Sequence, residues 1–469
     1  MTLTRANKTL LWIVATGFFM ETLDSMIVNT ALPAMATSLN ESPLAMHSVI
    51  MAYSLTLAVL IPASGWFADR FGIKKTFLTA ITIFSLGSIL CALSPNLNFL
   101  IAARVIQGVG GSMLMPIGRL AILRVFPQSQ FLTAMSFVAV PALIGPLIGP
   151  TLGGFLVQYA SWHWIFLINI PVGVVGIYST LRFMPLIPAY EVSKFDLKGF
   201  SLLAIMMVSI SMAMEGVSDY GLQHATLLLL LMVGFAAFAG YVFHAVRHPE
   251  RALFPLTLFK TRSFSIGLVG NLFARIGMAA TPFLIPLLLQ MSLGYTPVEA
   301  GSTMIPIAAA AIVCRRFAPP FIMAIGYRKF LICNTLILGV LLMSLATVSA
   351  HEPSWVRVIQ LILFGTVNSL QFSAMNSLTL KDLVSRDTAS GNSLLSMTQM
   401  LAMSFGVANA GALLTTFHAY FDRLGQTPIH AFQATFICLG VITCFSTFIF
   451  GQLERNTKNP PTHSPVEVV

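Results

Sequence analysis

Long apolar runs recur along the chain, and the polar stretches between them hold nearly all of its charge. The runs fall at 9–32, 46–64, 76–94, 98–121, 133–156, 162–182, 199–215, 224–244, 264–290, 297–317, 330–349, 355–378, 394–417 and 432–451. A helix needs about 20 apolar residues to cross a hydrocarbon core of roughly 30 Å, and the runs match that length. Backbone in lipid must satisfy its own N–H and C=O groups, so each run is predicted as a helix. The pattern predicts an all-α integral membrane protein of fourteen spans, and the even number puts both termini on one side.

Composition sharpens this. Only 9% of residues are charged and 56% are hydrophobic, too little charge for the surface of a soluble protein of 469 residues. The net charge of +10 does not point to nucleic acid, because the cations sit between apolar runs rather than on one amphipathic face. With a cytoplasmic N-terminus, all but four of the 26 Lys and Arg residues fall on the cytoplasmic side, Arg119 being counted with them. The exceptions are Arg357 and Arg423 on the other side, and Arg104 and Arg275 inside spans. One missed span would invert every later loop, so the asymmetry supports both the orientation and the number of spans. The five cysteines show no metal or disulfide spacing. The first run contains Glu21 and Asp24 and lacks a cleavage pattern, so it reads as a retained span.

A faint repeat divides the chain. Gly72-Ile73-Lys74-Lys75 after the second span is echoed by Gly326-Tyr327-Arg328-Lys329 after the tenth. This suggests a 6+2+6 arrangement: a six-helix bundle over 1–182, an inserted pair over 183–262 and a second bundle over 263–452. The polar tail 453–469 is expected to be disordered.

Four constellations carry candidate chemistry. Glu21 and Asp24, three residues apart, share a helix face and are the only carboxylates deep in a span. An acid at that depth is costly to ionise, and two on one face cannot easily be charged together. A group that takes or gives a proton according to its exposure is what proton coupling needs. Arg104 needs a carboxylate or carbonyls at that depth, and pairing with Asp24 or Glu21 is the economical choice. A static structural ion pair is the competing reading. The loop Gly65-Trp66-Phe67-Ala68-Asp69-Arg70-Phe71-Gly72-Ile73-Lys74-Lys75 combines turn glycines with an acid–base pair and two further cations. Asp69 there can cap a helix or pair across the bundle interface as a gate. In the fifth run Gly145, Gly149 and Gly153 recur every fourth residue, alongside Pro146, Pro150 and Gly154. The first stripe admits close helix approach and the prolines bend the helix, which suits an interface between moving halves.

In the C-terminal half, Asn271 and Arg275 share a face, and Asn368, Gln371, Asn376, Gln399 and Asn409 could line a wet cavity. Arg275, Asn271 and Gln371 are the substrate-binding candidates. No Walker sequence, Gly-x-Ser-x-Gly or His-Glu-x-x-His occurs, so no catalytic residue, metal site or cofactor is expected and ATP does not drive the protein directly.

These motifs together resemble the major facilitator superfamily, and within it the fourteen-span drug:proton antiporter-2 branch. Leu23-Asp24-Ser25-Met26-Ile27-Val28-Asn29-Thr30-Ala31-Leu32-Pro33 resembles the branch's first-helix motif. The loop 65–75 is similar to the signature loop, 104–111 to the fourth-helix motif, 145–154 to the antiporter motif, and 162–173 to the sixth-helix signature. The resemblance implies the major facilitator fold, a protonatable Asp24, a proton-transfer role for Arg104, gating by Asp69 and Arg70, and a hinge at 145–154. His163 and Met26 depart from the usual Arg and Thr, and the second copy of the loop lacks its Asp-Arg pair.

The expectation is a proton-coupled antiporter of the bacterial inner membrane that exports drugs or other xenobiotics. Its partners are a small-molecule substrate, protons and the bilayer, with no nucleic acid; an accessory periplasmic partner is not identifiable from sequence. Arg104 and Arg275 keep a small organic anion or a metal–carboxylate chelate open as cargo. A non-transporting membrane sensor is the alternative of another class.

Overall fold

The computed structural model describes residues 5–186, 194–220, 225–314, 317–349, 353–383 and 388–453. Among them, fourteen helices are long and apolar enough to cross a membrane. The first six are α1 (Asn7–Thr30), α2 (His47–Phe71), α3 (Ile73–Ala92), α4 (Leu97–Val125), α5 (Pro141–Tyr159) and α6 (Trp164–Phe183). Two follow, α7 (Leu197–Met214) and α8 (Ala225–Arg247). The last six are α9 (Arg262–Met291), α10 (Pro297–Cys314), α11 (Tyr327–Thr347), α12 (Ser354–Leu380), α13 (Ser390–Arg423) and α14 (Ile429–Gly451).

Several helices outrun the apolar pattern. The helix containing α5 begins at Gln128, and that containing α13 begins at Thr388. Hydropathy marks lipid depth, whereas the backbone ladder continues into polar surroundings. Arg119, counted above on the inner side, lies within α4, and Arg357, counted outside, is buried in α12 and donates to the Tyr295 hydroxyl. The tail beyond 453 and Arg315, Arg316, Arg386, Arg455 and Lys458 lie outside the described residues.

Helices α1–α6 pack on one another, and so do α9–α14. The two groups meet where α2 lies against α13 and α5 against α10. Helix α7 touches both α2 and α13, and α8 packs outside it with Leu228, Met232 and Phe235 exposed, as lipid-facing side chains are. At one end of the molecule three hydrogen bonds join the groups. Gln290 Nε2 donates to the Thr30 carbonyl at 3.0 Å, Thr151 Oγ1 to the Gly301 carbonyl at 3.3 Å, and the Val298 amide to Gln158 Oε1 at 3.3 Å.

Two glycines explain the echoed loops. Gly72 ends one helix and starts the next with φ 84° and ψ 148°, and Gly326 does the same with φ 84° and ψ 149°. Side chains are all but excluded from that backbone region. Replacing either glycine by Ala is expected to cost about 1–3 kcal/mol. Thermal unfolding of the detergent-solubilised protein checks this, and an unchanged midpoint for both variants contradicts it.

Candidate functional site

The most polar buried point of the N-terminal group is built around Asp24. Its carboxylate is fully buried, and the Arg104 side chain is 1% exposed. Arg104 Nη1 donates to Asp24 Oδ2 at 2.6 Å and to Gln107 Oε1 at 2.6 Å. Gln107 Nε2 donates to Asp24 Oδ1 at 2.7 Å and to Ser88 Oγ at 2.8 Å. Asn169 Nδ2 also reaches Asp24 Oδ1, at 3.1 Å. On its other side Arg104 Nε donates to the Val49 carbonyl at 3.4 Å, and its guanidinium lies 4.1 Å from the centre of the Tyr53 ring. Two buried charges are tolerable only with such complete pairing. The cage draws on α1, α2, α3, α4 and α6, so the charge pair ties five helices together.

The sequence explains why these groups meet. Arg104 and Gln107 are one turn apart on α4 and face α1. Gly87 and Gly110 let α3 and α4 approach so closely that a Cβ on either would strike the other helix's backbone. That approach brings Ser88 to Gln107.

Glu21 stands apart from the cage despite sharing a face with Asp24. It is 5% exposed, its Oε2 has no hydrogen-bond partner, and it makes no ion pair among the described residues. The Met115 backbone lies against its carboxyl group, and the opposite charge acting on it most is Arg119.

In the signature loop, Asp69 pairs with Arg124 at the end of α4. The partner lies in the same helix group, so this pair does not cross the bundle interface, the expected alternative. Lys74 Nζ donates to the Leu181 carbonyl at 2.8 Å and ties the end of α6, a use of a cation at a helix C-terminus. Arg70 and Lys75 are exposed, and Gly65 faces open space.

The small-residue stripes of α5 face two ways. Gly145, Gly149 and Gly153 lie against α1 at Thr22, Met26 and Ile27. Gly154 lies against the Pro297 carbonyl of α10, and Gly301 of α10 lies against the Pro150 carbonyl in return. Pro146 and Pro150 lie inside the helix. One helix thus touches the acid-bearing helix on one side and the opposite group on the other.

In the C-terminal group the candidates separate. Arg275 lies over the Phe372 ring at 4.6 Å, and its Nη1 has no partner. Asn271 donates to the Gly267 carbonyl at 2.9 Å and to Thr379 Oγ1 at 3.3 Å, leaving its Oδ1 unpartnered. Gln371 is fully buried, accepts from Asn334 at 2.8 Å and donates to Thr335 at 2.7 Å. In this structure these bonds make it a strut between α12 and α11.

Sequence reasoning did not single out Asn169, Ser88, Tyr53 or the link from Arg119 to Glu21. Asn169 had a signal, as a lone amide in the apolar stretch 164–173. Ser88 and Tyr53 had none, since such residues are common in spans. Replacing Arg104 with Gln leaves Asp24 buried and unpaired, at an expected cost of about 3–5 kcal/mol. The double variant Arg104→Gln/Asp24→Asn removes both charges and is expected to recover most of that loss in thermal unfolding. Additive losses would contradict direct coupling.

Comparison with known proteins agrees with this architecture. Residues 14–407 match the family described as Major Facilitator Superfamily. The chain is 48% identical over 449 residues to the "Putative multidrug resistance protein MdtD" of Serratia proteamaculans (strain 568), covering 95% of this chain and 94% of the relative. It is also 48% identical over 452 residues to the protein of the same name from Escherichia coli O139:H28, covering 95% of each. Among solved structures it is similar to a D-xylose–proton symporter, with TM-score 0.69, 13% identity and 95% and 97% of the two chains covered. An auto-inhibited peptide transporter of the POT family gives TM-score 0.70 at 14% identity, with 96% of each chain covered.

Proposed function

We propose, for a chain that belongs to the major facilitator superfamily, that the Asp24 cage is the switch of a proton-driven exporter working by alternating access. Membership makes the chain a multi-pass membrane transporter of small molecules and not an enzyme. Such a transporter needs no bound cofactor. The proton gradient is the energy source that a buried acid can use.

The observation that carries the reading is the pairing of Asp24 with Arg104 at full burial. Protonating Asp24 removes the negative partner and leaves a buried guanidinium to be served by Gln107, the Val49 carbonyl and the Tyr53 ring. That is a change of several kcal/mol in the preferred packing of α1 against α4. Helix α1 passes it to α5 through Gly145, Gly149 and Gly153, and the other side of α5 meets α10. The hydrogen-bonded end is then the outer, closed gate, and both termini are cytoplasmic. The two six-helix groups are the moving halves, and α7–α8 is the inserted pair.

The relatives' name points to drugs as cargo, and we place this protein in the inner membrane of a bacterium. A second reading has one specific support. The unpartnered Arg275 guanidinium, deep in the C-terminal half, suits an anionic group on the cargo.

Everted membrane vesicles test both. Wild-type vesicles are expected to take up tetraphenylphosphonium or citrate only under an inside-acid gradient, and Asp24→Asn to reduce this to background with normal insertion. Gradient-driven uptake by Asp24→Asn at the wild-type rate overturns the switch. Arg275→Gln is expected to abolish citrate uptake and spare tetraphenylphosphonium if the cargo is an anion. Tetraphenylphosphonium uptake that survives in Arg275→Gln, with no citrate uptake even by the wild type, supports cationic drugs.

A further inference from the structure

Four charges line the contact of α1 with α4. From the hydrogen-bonded end inward they run Arg104, Asp24, Glu21 and Arg119, because the two helices are antiparallel. Arg104 and Arg119 are fifteen residues apart, roughly 22 Å along a helix. Each arginine is associated with one acid, but the two associations are in different states. Arg104 and Asp24 are in contact. Glu21 and Arg119 are not, although each is the other's main opposite charge.

Glu21 in this conformation is sealed without a counter-ion. Its Oε2 is buried and accepts nothing. A carboxylate in that setting would forgo both hydration and pairing, whereas a carboxylic acid can leave one oxygen unpartnered at much smaller cost. Among the described residues its surroundings offer no other neutralising charge. Helix α2 presents Tyr53, whose hydroxyl lies in the field of both acids. Helix α1 itself adds Asp24, of like charge. The helix Gln128–Tyr159 that carries α5 has no charged residue, and the only formally charged residue of α6 is Arg182, near its inner end. Arg119 is therefore the one cation placed to receive an ionised Glu21. The helix is also deformable there, because Pro116 interrupts the backbone ladder between Met115 and Arg119.

We propose that Glu21 is a second proton site, separate from Asp24, which holds its proton in this conformation and pairs with Arg119 when it gives that proton up. Each proton is exchanged against its own arginine, Asp24 with Arg104 and Glu21 with Arg119. This rests on the proton-coupled reading above and adds a second acid to it.

The test needs no knowledge of the cargo. Infrared difference spectra of the protein in lipid nanodiscs, stepped from alkaline to mildly acidic pH, report buried carboxyl groups through their protonated C=O stretch. Glu21→Gln is nearly isosteric, and Glu21→Asp keeps the acid if Gln perturbs folding. The wild type is expected to show two buried-carboxyl bands. Glu21→Gln should remove the one from the less hydrogen-bonded group, Asp24→Asn should remove the other, and Arg119→Gln should displace the titration midpoint of the Glu21 band alone. A wild-type spectrum unchanged in Glu21→Gln, or a band moved equally by Arg104→Gln and Arg119→Gln, overturns the second site and leaves Asp24 coupling intact. Loss of the Asp24 band assignment, with Asp24→Asn spectrally silent, instead overturns the proton-coupled reading itself.

Discussion

A charge cannot remain alone in the interior of a membrane protein, and the N-terminal half is organised around that constraint. Asp24 and Arg104 are both sealed from solvent, so every remaining lone pair and N–H needs a partner. Gln107, Asn169 and the Val49 carbonyl supply them, and Ser88 holds Gln107 in place. Each partner comes with a helix attached. Satisfying one ion pair thereby fixes the mutual positions of α1, α2, α3, α4 and α6. The close approach of α3 and α4 at Gly87 and Gly110 is a precondition, because a side chain at either position would hold Ser88 away from Gln107.

On the proposed reading the same constraint makes the arrangement switchable. A fully paired buried ion pair loses its reason to exist once one member becomes neutral, so the packing that suited it no longer suits the protein. The helix best placed to feel this, α1, is also the one lying in the glycine groove of α5. Without Cβ atoms between them, the two helices lie backbone to backbone and a shift of one is passed directly to the other. Helix α5 then meets α10 through the reciprocal contacts of Gly154 with Pro297 and Gly301 with Pro150. The route from acid to interface is short, and every step is a packed contact.

How much of this was legible in the sequence depended on how rare the residue was in its setting. The fourteen spans could be read because bilayer thickness sets a length that few other folds imitate. A pairing of Arg104 with Asp24 or Glu21 could be anticipated because intramembrane charges are scarce and must find one another, but not which of the two acids it takes. Gly72 and Gly326 were visible as an echoed loop, although the left-handed backbone that demands glycine was not. Uncharged partners were hidden. Ser88 and Tyr53 are ordinary span residues, and only the tertiary approach of their helices gives them a role. Gln371 was ambiguous for the same reason, since an amide in a span reads equally well as a cavity wall or as a strut. Asp69 found its partner in the same half because Arg124 ends the neighbouring helix α4, a proximity that loop spacing does not encode.

The two helix groups share the glycine turn at Gly72 and Gly326 but differ in charge, and on the proposed reading that difference divides their work. In the C-terminal half Gln371 binds Asn334 and Thr335 much as Gln107 binds its neighbours, yet no carboxylate joins them. That network is neutral, so protonation has nothing there to alter. Arg275 of that half, unlike the hydrogen-bonded Arg357, lies over an aromatic face at 4.6 Å and keeps an unpartnered Nη1. A guanidinium left so incompletely served is unstable unless something else visits it. On the proposed reading the N-terminal charges answer to protons, and Arg275 is left for the cargo. On the proposed cycle, proton and cargo therefore need not compete for one residue. Their exchange is coupled through the α5–α10 contact, where the two halves already touch.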